Sequence, residues 1–225
     1  MQTFLKHKLF LKIVFSILLL IFVYLSIEVY EGSIFETDLQ IFRWLHSYEN
    51  DVLTNYAIAI TFLGSQTFLL PANIILATIF LFRNKKRLYV WKIALISLSS
   101  AGFLFLVKYI IKRPRPESPL INAIHYSFPS GHTFTSITFF GLIVYFSMTY
   151  IKSAIARGII IVVSIFLVLS IAWSRVYLYV HYASDVLASA CLGLMWLIMA
   201  KWFLLQKKNL FKVTVNSYQI TVISL

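Results

Sequence analysis

Long stretches without Asp, Glu, Lys or Arg dominate this chain and constrain its fold most strongly. Six such stretches occur, at residues 13–27, 52–82, 93–107, 118–151, 158–174 and 186–200. Charged residues make up only 12% of the chain, against about a quarter of a soluble domain, so lipid must be its main solvent. A spanning helix needs about 20 apolar residues. Because open sheets and irregular loops cannot face lipid, we predict an all-α fold, a bundle of six transmembrane helices.

The boundaries of the spans follow from the residues at the ends of the apolar stretches. Terminal lysines can reach the headgroups, so the shorter stretches extend by about a turn. The prolines near the start of the fourth stretch indicate a loop, and its helix should begin near residue 131. Pro71 predicts a kink in the second span. We therefore expect one membrane domain over residues 1–225, with a tail at 206–225 and spans at about 9–27, 53–82, 89–111, 131–151, 155–173 and 182–205.

The distribution of charge predicts how the bundle is oriented. The net charge is +12, but the side that holds both termini would carry 14 Lys and Arg and no acid. The opposite side would carry 6 Lys and Arg and all eight acids. Cytoplasmic loops have an excess of positive charge, so we predict a multi-pass protein of the cell membrane with both termini in the cytoplasm. The inner positive charge is then explained by topology and anionic lipid, and we expect no nucleic-acid partner.

The segment at residues 28–51 lies between the first two spans on the outer side. Phe35, Leu39, Phe42 and Leu45 recur there at steps of three and four residues. This spacing fits an amphipathic helix in the membrane interface. A solvated loop with some packed aromatic residues fits equally well, so the sequence leaves both structures open.

A first polar cluster follows the third predicted span and is rich in cations. Lys108 belongs to the end of the helix, while the prolines at 114 and 116 force an extended backbone, from which Arg115 can fold back over the helix end. Taken alone, these cations could simply cap the span at a headgroup surface. Lys112 and Arg113 could contact a second phosphate or neighbouring headgroups, or could be solvated.

A second polar cluster, Pro-Ser-Gly-His at residues 129–132, begins the fourth span. A helix that begins this way offers free backbone N–H groups and the positive end of its dipole, which together bind anions. Ser130 and Gly131 are candidate phosphate ligands, and His132 is placed to donate a proton to a bound group. A plain helix cap with an interfacial histidine is the alternative. His125, in the preceding loop, could also touch a substrate.

A third polar cluster joins the fifth and sixth spans. His181 and Asp185 are four residues apart, so on a helix they would share a face. The carboxylate could then hold one imidazole nitrogen and leave the other free as a nucleophile. Arg175 precedes them and adds a third cation. An ordinary interfacial His–Asp pair is the alternative for this cluster alone.

All three clusters fall on the same predicted membrane face, which favours one shared site over three unrelated caps. Lys108, Arg115 and Arg175 suit a phosphate, because charge-assisted hydrogen bonds to its oxygens are about twice as strong as neutral ones. The two histidines supply a nucleophile and a proton donor. The sequence has no Cys/His spacing typical of a metal site, and we expect no metal or other cofactor.

The three clusters together resemble the signature of the type 2 phosphatidic acid phosphatase (PAP2) superfamily. Its parts K-x6-RP, PSGH and SR-x5-H-x3-D are all present, at residues 108–116, 129–132 and 174–185. The resemblance is to bacterial lipid phosphatases of the phosphatidylglycerophosphate and undecaprenyl pyrophosphate type. It implies a metal-independent reaction at the outer membrane surface, in which a membrane lipid phosphate or pyrophosphate is dephosphorylated.

The resemblance also implies a role for each matching residue. His181 would attack phosphorus to form a phospho-histidine, Asp185 would orient His181, and His132 would protonate the leaving oxygen. Lys108, Ser130, Gly131, Arg115 and Arg175 would hold the phosphate. A lipid phosphotransferase that uses the same phospho-histidine remains an alternative, as does a six-span carrier that only binds anionic lipid. The substrate lipid and the oligomeric state are left open.

Overall fold

The computed structural model describes residues 2–32, 35–82 and 87–202, and within these ranges all regular structure is helical. This confirms the predicted all-α fold. The eight helices of the described part are α1 (Gln2–Glu31), α2 (Phe35–His46), α3 (Asp51–Phe62), α4 (Gln66–Phe82), α5 (Arg87–Ile111), α6 (Gly131–Tyr150), α7 (Ala154–Tyr177) and α8 (Ala183–Ala200). The predicted tail at 206–225 lies outside the described residues.

Five of these helices are long and apolar enough to cross a membrane, and the bent pair α3 and α4 makes a sixth span if counted as one. The other five spans lie at Lys8–Glu31, Tyr89–Ile111, Gly131–Tyr150, Ala154–Tyr177 and Ala183–Ala200. The spans of α6 and α8 are the most buried, because 56% of the most apolar stretch of each lies inside the protein. For the α1 span this share is only 6%. The centre of the bundle is therefore formed by α6 and α8. The second polar cluster lies at the start of α6, and the third extends from the end of α7 to the start of α8.

The bend in the second span does not occur at Pro71, which corrects the prediction. The break lies between Phe62 and Gln66, where the two helices meet at 42°, while α4 continues through Pro71. Gly64 explains the position of the break, because a Cβ atom there would lie 2.7 Å from Cγ2 of Ile171. Only glycine lets the backbone approach α7 this closely, so the second span bends at Gly64.

The segment at 28–51 contains a helix, α2, and is not a loop throughout. Phe42 and Leu45 are buried against Val176 and Tyr182, in the region where α7 ends and α8 begins. The opposite face is open, as the exposed Trp44 shows. The amphipathic alternative is therefore the one that the structure supports, with the apolar face packed on protein.

Close packing of α8 on α6 gives a testable stability prediction. A Cβ atom added at Gly193 would lie 2.9 Å from Cγ2 and 3.0 Å from Cβ of Ile137. We expect Gly193→Ala to lower the free energy of unfolding by about 1–3 kcal/mol through overpacking, seen as a lower Tm in detergent. Gly102→Ala is the matched control, because nothing lies within 4 Å of a Cβ there. Equal melting temperatures for the two variants would contradict the prediction.

Candidate active site

The three polar clusters meet at one end of the bundle, around a cavity of about 530 Å³. The residues that form it come from the α3–α4 break, the end of α5, the loop at 121–125, the start of α6 and the end of α7. Six of the eight predicted site residues line the cavity: Lys108, Arg115, Gly131, His132, Arg175 and His181. The other two, Ser130 and Asp185, are fully buried behind its wall.

His181 is held between Asp185 on one side and the cavity on the other. Its Nδ1 lies 3.4 Å from Oδ2 of Asp185, and its Nε2 lies 3.3 Å from Nη1 of Arg115. The imidazole is 2% exposed. One ring nitrogen thus faces a carboxylate and the other faces the cavity, an arrangement that orients an imidazole for nucleophilic attack through Nε2.

The local fold that brings His181 to Asp185 differs from the predicted one. His181 precedes α8, so the two residues do not share a helix face. Instead Asp185 caps the start of α8 by accepting a hydrogen bond from the backbone N–H of Tyr182 at 2.9 Å. The chain reaches this position through a tight turn in which Tyr179 has φ 54°. His181 and Asp185 therefore lie together as predicted, but the capping of α8 by Asp185 brings them together, and not a shared helix face.

Arg175 lies in the last turn of α7 and points towards the cavity. Its Nη1 donates to Oγ1 of Thr61, at 2.6 Å, while its buried Nε has no hydrogen-bond partner in the described part of the chain. The side chain is only 4% exposed. A buried donor without a partner costs about 1–3 kcal/mol, so a bound anion is the natural partner for this guanidinium.

Lys108 and Arg115 line the cavity and also hold the loop at 121–127. Lys108 Nζ donates to the carbonyls of Tyr126 and Ser127, at 2.6 and 3.3 Å. Arg115 donates through Nε to the carbonyl of His125 at 2.9 Å and through Nη2 to that of Ile124 at 2.7 Å. Burial lowers the pKa of Arg115, and the charge of Asp185 opposes this effect. Both cations are thus fixed in place.

The start of α6 presents uncapped backbone to the same cavity. Ser130 is the N-cap residue, but its side chain makes no capping hydrogen bond and instead accepts from Oγ1 of Thr133 at 3.1 Å. The N-cap side chain therefore leaves the first N–H groups of α6 for another acceptor, as expected of an anion site. Gly131 and His132 lie at this helix start and line the cavity.

Arg113 has a different environment from the predicted ones. We predicted a second phosphate, a headgroup or solvent as its contact, but its side chain is 7% exposed and forms ion pairs with Asp38 and Asp185, at 2.6 Å each. The predicted contacts are wrong because two buried carboxylates attract the guanidinium inward. Lys112, by contrast, is exposed and places its Nζ 4.6 Å from the ring centre of Tyr109. His125 lies at the rim of the cavity, with its ring beside Phe105.

Ser127, Asp38 and Ser184 are polar residues near the site that the sequence did not indicate. Ser127 Oγ donates to Oδ2 of Asp185, and Ser184 Oγ donates to Asp38 at 2.6 Å. Asp38 is 146 residues from Ser184, and no spacing rule joins such positions. A small polar residue next to Asp185 was the only available signal. Among the described residues, no group of three or more His, Cys, Asp or Glu could hold a metal ion.

Fold and site together define a class. A multi-pass helical membrane protein in which three fixed cations, two histidines and a helix N-terminus surround one cavity is built as a membrane phosphatase, a phosphoric monoester hydrolase. The residues predicted as phosphate ligands, nucleophile and proton donor lie in or beside the same cavity.

Comparison with known proteins identifies the family. The PAP2 superfamily profile matches residues 89–209. Phosphatidylglycerophosphatase B of Bacillus subtilis (strain 168) is 33% identical over 160 residues, which cover 68% of this chain and 74% of that protein. The chain therefore belongs to the PAP2 superfamily, which confirms the resemblance seen in the sequence.

Two solved structures are similar over most of the chain. The crystal structure of the first transmembrane PAP2 type phosphatidylglycerolphosphate phosphatase from Bacillus subtilis has a TM-score of 0.79 and 27% identity, covering 87% of this chain and 98% of that one. The crystal structure of Aquifex aeolicus LpxE has a TM-score of 0.57 and 23% identity, covering 73% and 94%. The second similarity, at 23% identity, concerns the fold alone.

Proposed function

We propose that this chain dephosphorylates a membrane lipid phosphate or pyrophosphate through a phospho-histidine formed on His181. Phosphatidylglycerophosphate, undecaprenyl pyrophosphate and phosphatidic acid are the candidate substrates, and the name of the Bacillus subtilis relative favours the first. The observation that carries the proposal is the position of His181, with Nδ1 facing Asp185 and Nε2 facing a cavity lined by Lys108, Arg115 and Arg175.

The reaction proceeds in two displacements on phosphorus. In the first, Nε2 of His181 forms a bond to phosphorus while the bond to the lipid oxygen breaks, and His132 gives that oxygen a proton. The positive charge on the phosphorylated ring is stabilised by Asp185. In the second, His132 takes a proton from a water molecule, whose oxygen attacks phosphorus and breaks the P–N bond. Inorganic phosphate leaves, and His181 is regenerated.

The cations act on the oxygens of the transferred phosphoryl group. Its three equatorial oxygens carry the developing negative charge, and fixed positive groups lower the barrier most when they need no rearrangement. Nε of Arg175 has no hydrogen-bond partner among the described residues, and Lys108 and Arg115 are already anchored by carbonyls. In this proposal, Ser130 does not line the cavity itself. It contributes to phosphate binding as the N-cap residue of α6, whose first N–H groups face the phosphate.

An apolar groove next to the site supports a lipid substrate. A second cavity of about 360 Å³ lies between α4 and α6 and shares Phe62 and Thr67 with the first. Its lining is almost entirely apolar and includes Pro71, Ile75 and Phe139. A lipid could keep its tail along this groove while its phosphate enters the polar cavity.

We also propose that the site opens on the outer face of the cell membrane and that both termini are cytoplasmic. The uneven distribution of lysine and arginine supports this orientation. Cysteine labelling tests it: with Cys191 replaced by Ala, a Cys introduced at Asn122 should react with a membrane-impermeant maleimide in intact cells. Labelling only after the cells are opened would reverse the orientation.

A phosphate-release assay across single substrates tests the proposed function. Purified protein in detergent is given phosphatidylglycerophosphate, undecaprenyl pyrophosphate, phosphatidic acid or soluble p-nitrophenyl phosphate. We expect phosphate release from at least one lipid, with kcat/KM about a hundredfold above that of the soluble ester, because the tail contributes binding energy. Release only after an acceptor lipid is added would favour phosphotransfer. Binding without release from any substrate would favour a carrier.

The buried nucleophile should make kcat/KM resistant to acid. Burial lowers the pKa of His181 to about 3, although Asp185 raises it, whereas a free imidazole has a pKa of about 6.5. His181 must be neutral to attack, and a lowered pKa keeps it neutral as the pH falls. We therefore expect the acid limb of kcat/KM to lie below about pH 5, after correction for the substrate's own ionisation near pH 6. A limb near pH 6.5 would contradict this.

An alkaline limb should appear in kcat, because His132 must carry a proton in the first displacement within the substrate complex. The substrate's ionisation is measured separately by ³¹P NMR over the same pH range. A rate that changes in one direction only across the working range would argue against the paired roles of the two histidines.

A further inference from the structure

A row of buried charges runs from His181 away from the cavity. Asp185 is followed by Arg113 and then by Asp38, and the two carboxylates are 0% and 1% exposed. Arg113 Nη1 lies 2.6 Å from Oδ1 of Asp185, and Nη2 lies 2.6 Å from Oδ2 of Asp38. One guanidinium thus bridges two buried carboxylates that belong to different helices, α8 and α2.

The contacts of Asp185 divide its two oxygens between different tasks. Oδ2 faces His181 and accepts hydrogen bonds from Ser127 Oγ and from the backbone N–H of Tyr182. Oδ1 accepts from Arg113. Ser127 and Tyr182 hold only Oδ2, and Arg113 adds an anchor on the other oxygen that opposes rotation of the carboxylate about its Cβ–Cγ bond. Arg113 therefore fixes the plane in which Asp185 meets His181.

Asp38 in turn holds Arg113. Besides its ion pair, it accepts from the backbone N–H of Ser184 at 3.0 Å and from Ser184 Oγ at 2.6 Å. Ser184 Oγ also lies 2.7 Å from Arg113 Nη1. Arg113 further stacks on the ring of Tyr182, at 3.9 Å from the ring centre. The guanidinium is thus fixed from three sides, and its charge is balanced within the protein.

We propose that Arg113 and Asp38 are positioning residues of the active site, and that α2 belongs to the catalytic machinery through Asp38. Neither residue lines the cavity, so neither touches the substrate. Arg113 orients Asp185, and Asp38 keeps Arg113 from drawing Asp185 away from His181. This inference rests on the proposed function, because it needs His181 to be the nucleophile.

The charge balance explains why one cation is paired with two acids. When His181 is phosphorylated, its ring becomes positive and needs the negative charge of Asp185. If Arg113 were paired with Asp185 alone, it would cancel that charge. Asp38 compensates Arg113, so that Asp185 remains available to the ring. Buried ions that lose a partner are costly, and all three residues depend on one another in this way.

Asp38→Asn is the decisive variant, with Glu36→Gln as its matched control. Both replace a carboxylate of α2 by an amide, but Glu36 is in an exposed ion pair with Arg43. For Asp38→Asn we expect kcat to fall about 10- to 100-fold, as for other residues that orient a catalytic group. KM should stay within about twofold, because no substrate contact is lost. Glu36→Gln should match the unmodified protein in both.

A double variant covers the case in which Asp38→Asn does not fold. Asp38→Asn with Arg113→Gln removes one negative and one positive charge, so the net charge of the buried group is unchanged, and Asp185 keeps its hydrogen bonds from Ser127 and Tyr182. Its kcat should be about tenfold below that of the unmodified protein, again with KM unchanged. Protein is assayed as the monodisperse fraction from size-exclusion chromatography, so that a loss of folded material does not count as a loss of kcat.

Two outcomes would overturn this inference. One is an unchanged kcat in folded Asp38→Asn or in the double variant. The other is an equal fall in kcat for Asp38→Asn and Glu36→Gln. That result would mean that the effect comes from the total charge of α2. His181→Ala separates this failure from failure of the proposed function: if His181→Ala is inactive while Asp38→Asn is fully active, only the positioning role is wrong.

Discussion

Replacing His181 by alanine is expected to abolish turnover, with kcat lower by about four orders of magnitude or more. The imidazole is the nucleophile in the proposed reaction, and no other described side chain combines a carboxylate partner at 3.4 Å with an open face on the cavity. The measurement is phosphate release from the best lipid of the substrate panel.

Binding should survive the loss of His181. Lys108, Arg115 and Arg175 remain in place, so the variant should still bind the lipid phosphate with an affinity close to that of the unmodified protein. His46→Ala is a suitable control, because His46 is a solvent-exposed histidine paired with Glu49 and lies outside the cavity. If His181→Ala kept near-full activity, the phospho-histidine mechanism would be wrong. If it lost binding as well, the defect would be structural.

The spans and the meeting of the three clusters could be predicted from the sequence because each depends on local chemistry. A stretch without charge crosses a bilayer whatever its neighbours are, and the spacing of the clusters places each at a helix end. Lys108, His132 and Arg175 come from three different helices, yet all lie at the same end of the bundle. Consecutive spans run in opposite directions, so the number of spans between two clusters decides whether they lie at the same end of the bundle.

The bend of the second span could not be predicted, because its cause lies in another helix. Pro71 removes one backbone hydrogen bond from α4, and the surrounding helix tolerates that. Gly64 permits a close contact with Ile171, more than a hundred residues away in the chain. The chain bends where the bundle needs a short approach, and no local pattern marks such a position.

The network of Arg113 was also beyond prediction, for an electrostatic reason. A cation next to a predicted membrane surface is solvated or bound to headgroups unless acids are buried beside it. Here Asp38 comes from α2, 75 residues earlier, and neither alternative for the segment at 28–51, an interfacial amphipathic helix or a solvated loop, placed that segment against the end of α7. The role of Arg113 becomes visible only when that helix is in place.

Replacing Arg175 by alanine should lower kcat/KM by about a thousandfold, with effects on both kcat and KM. Removing one fixed donor to a developing charge costs about 10²–10³ in rate, and an arginine that contacts the transferred phosphoryl group costs more. Within the described part of the chain Nε of Arg175 has no hydrogen-bond partner, and its Nη1 is held by Thr61. Thr61→Val should therefore show a smaller loss of about tenfold, because the cation remains but loses its anchor.

Lys112→Ala decides between a specific phosphate ligand and a general attraction to anions. Lys112 is a cation near the same end of the bundle, but it is exposed, lies over Tyr109 and does not line the cavity. If Arg175 acts by binding the phosphoryl oxygens, Lys112→Ala should keep kcat/KM within about threefold of the unmodified protein, since exposed charges are screened. Equal losses in the two variants would mean that the positive surface only gathers anionic lipid. In that case Nε of Arg175 would take no part in catalysis.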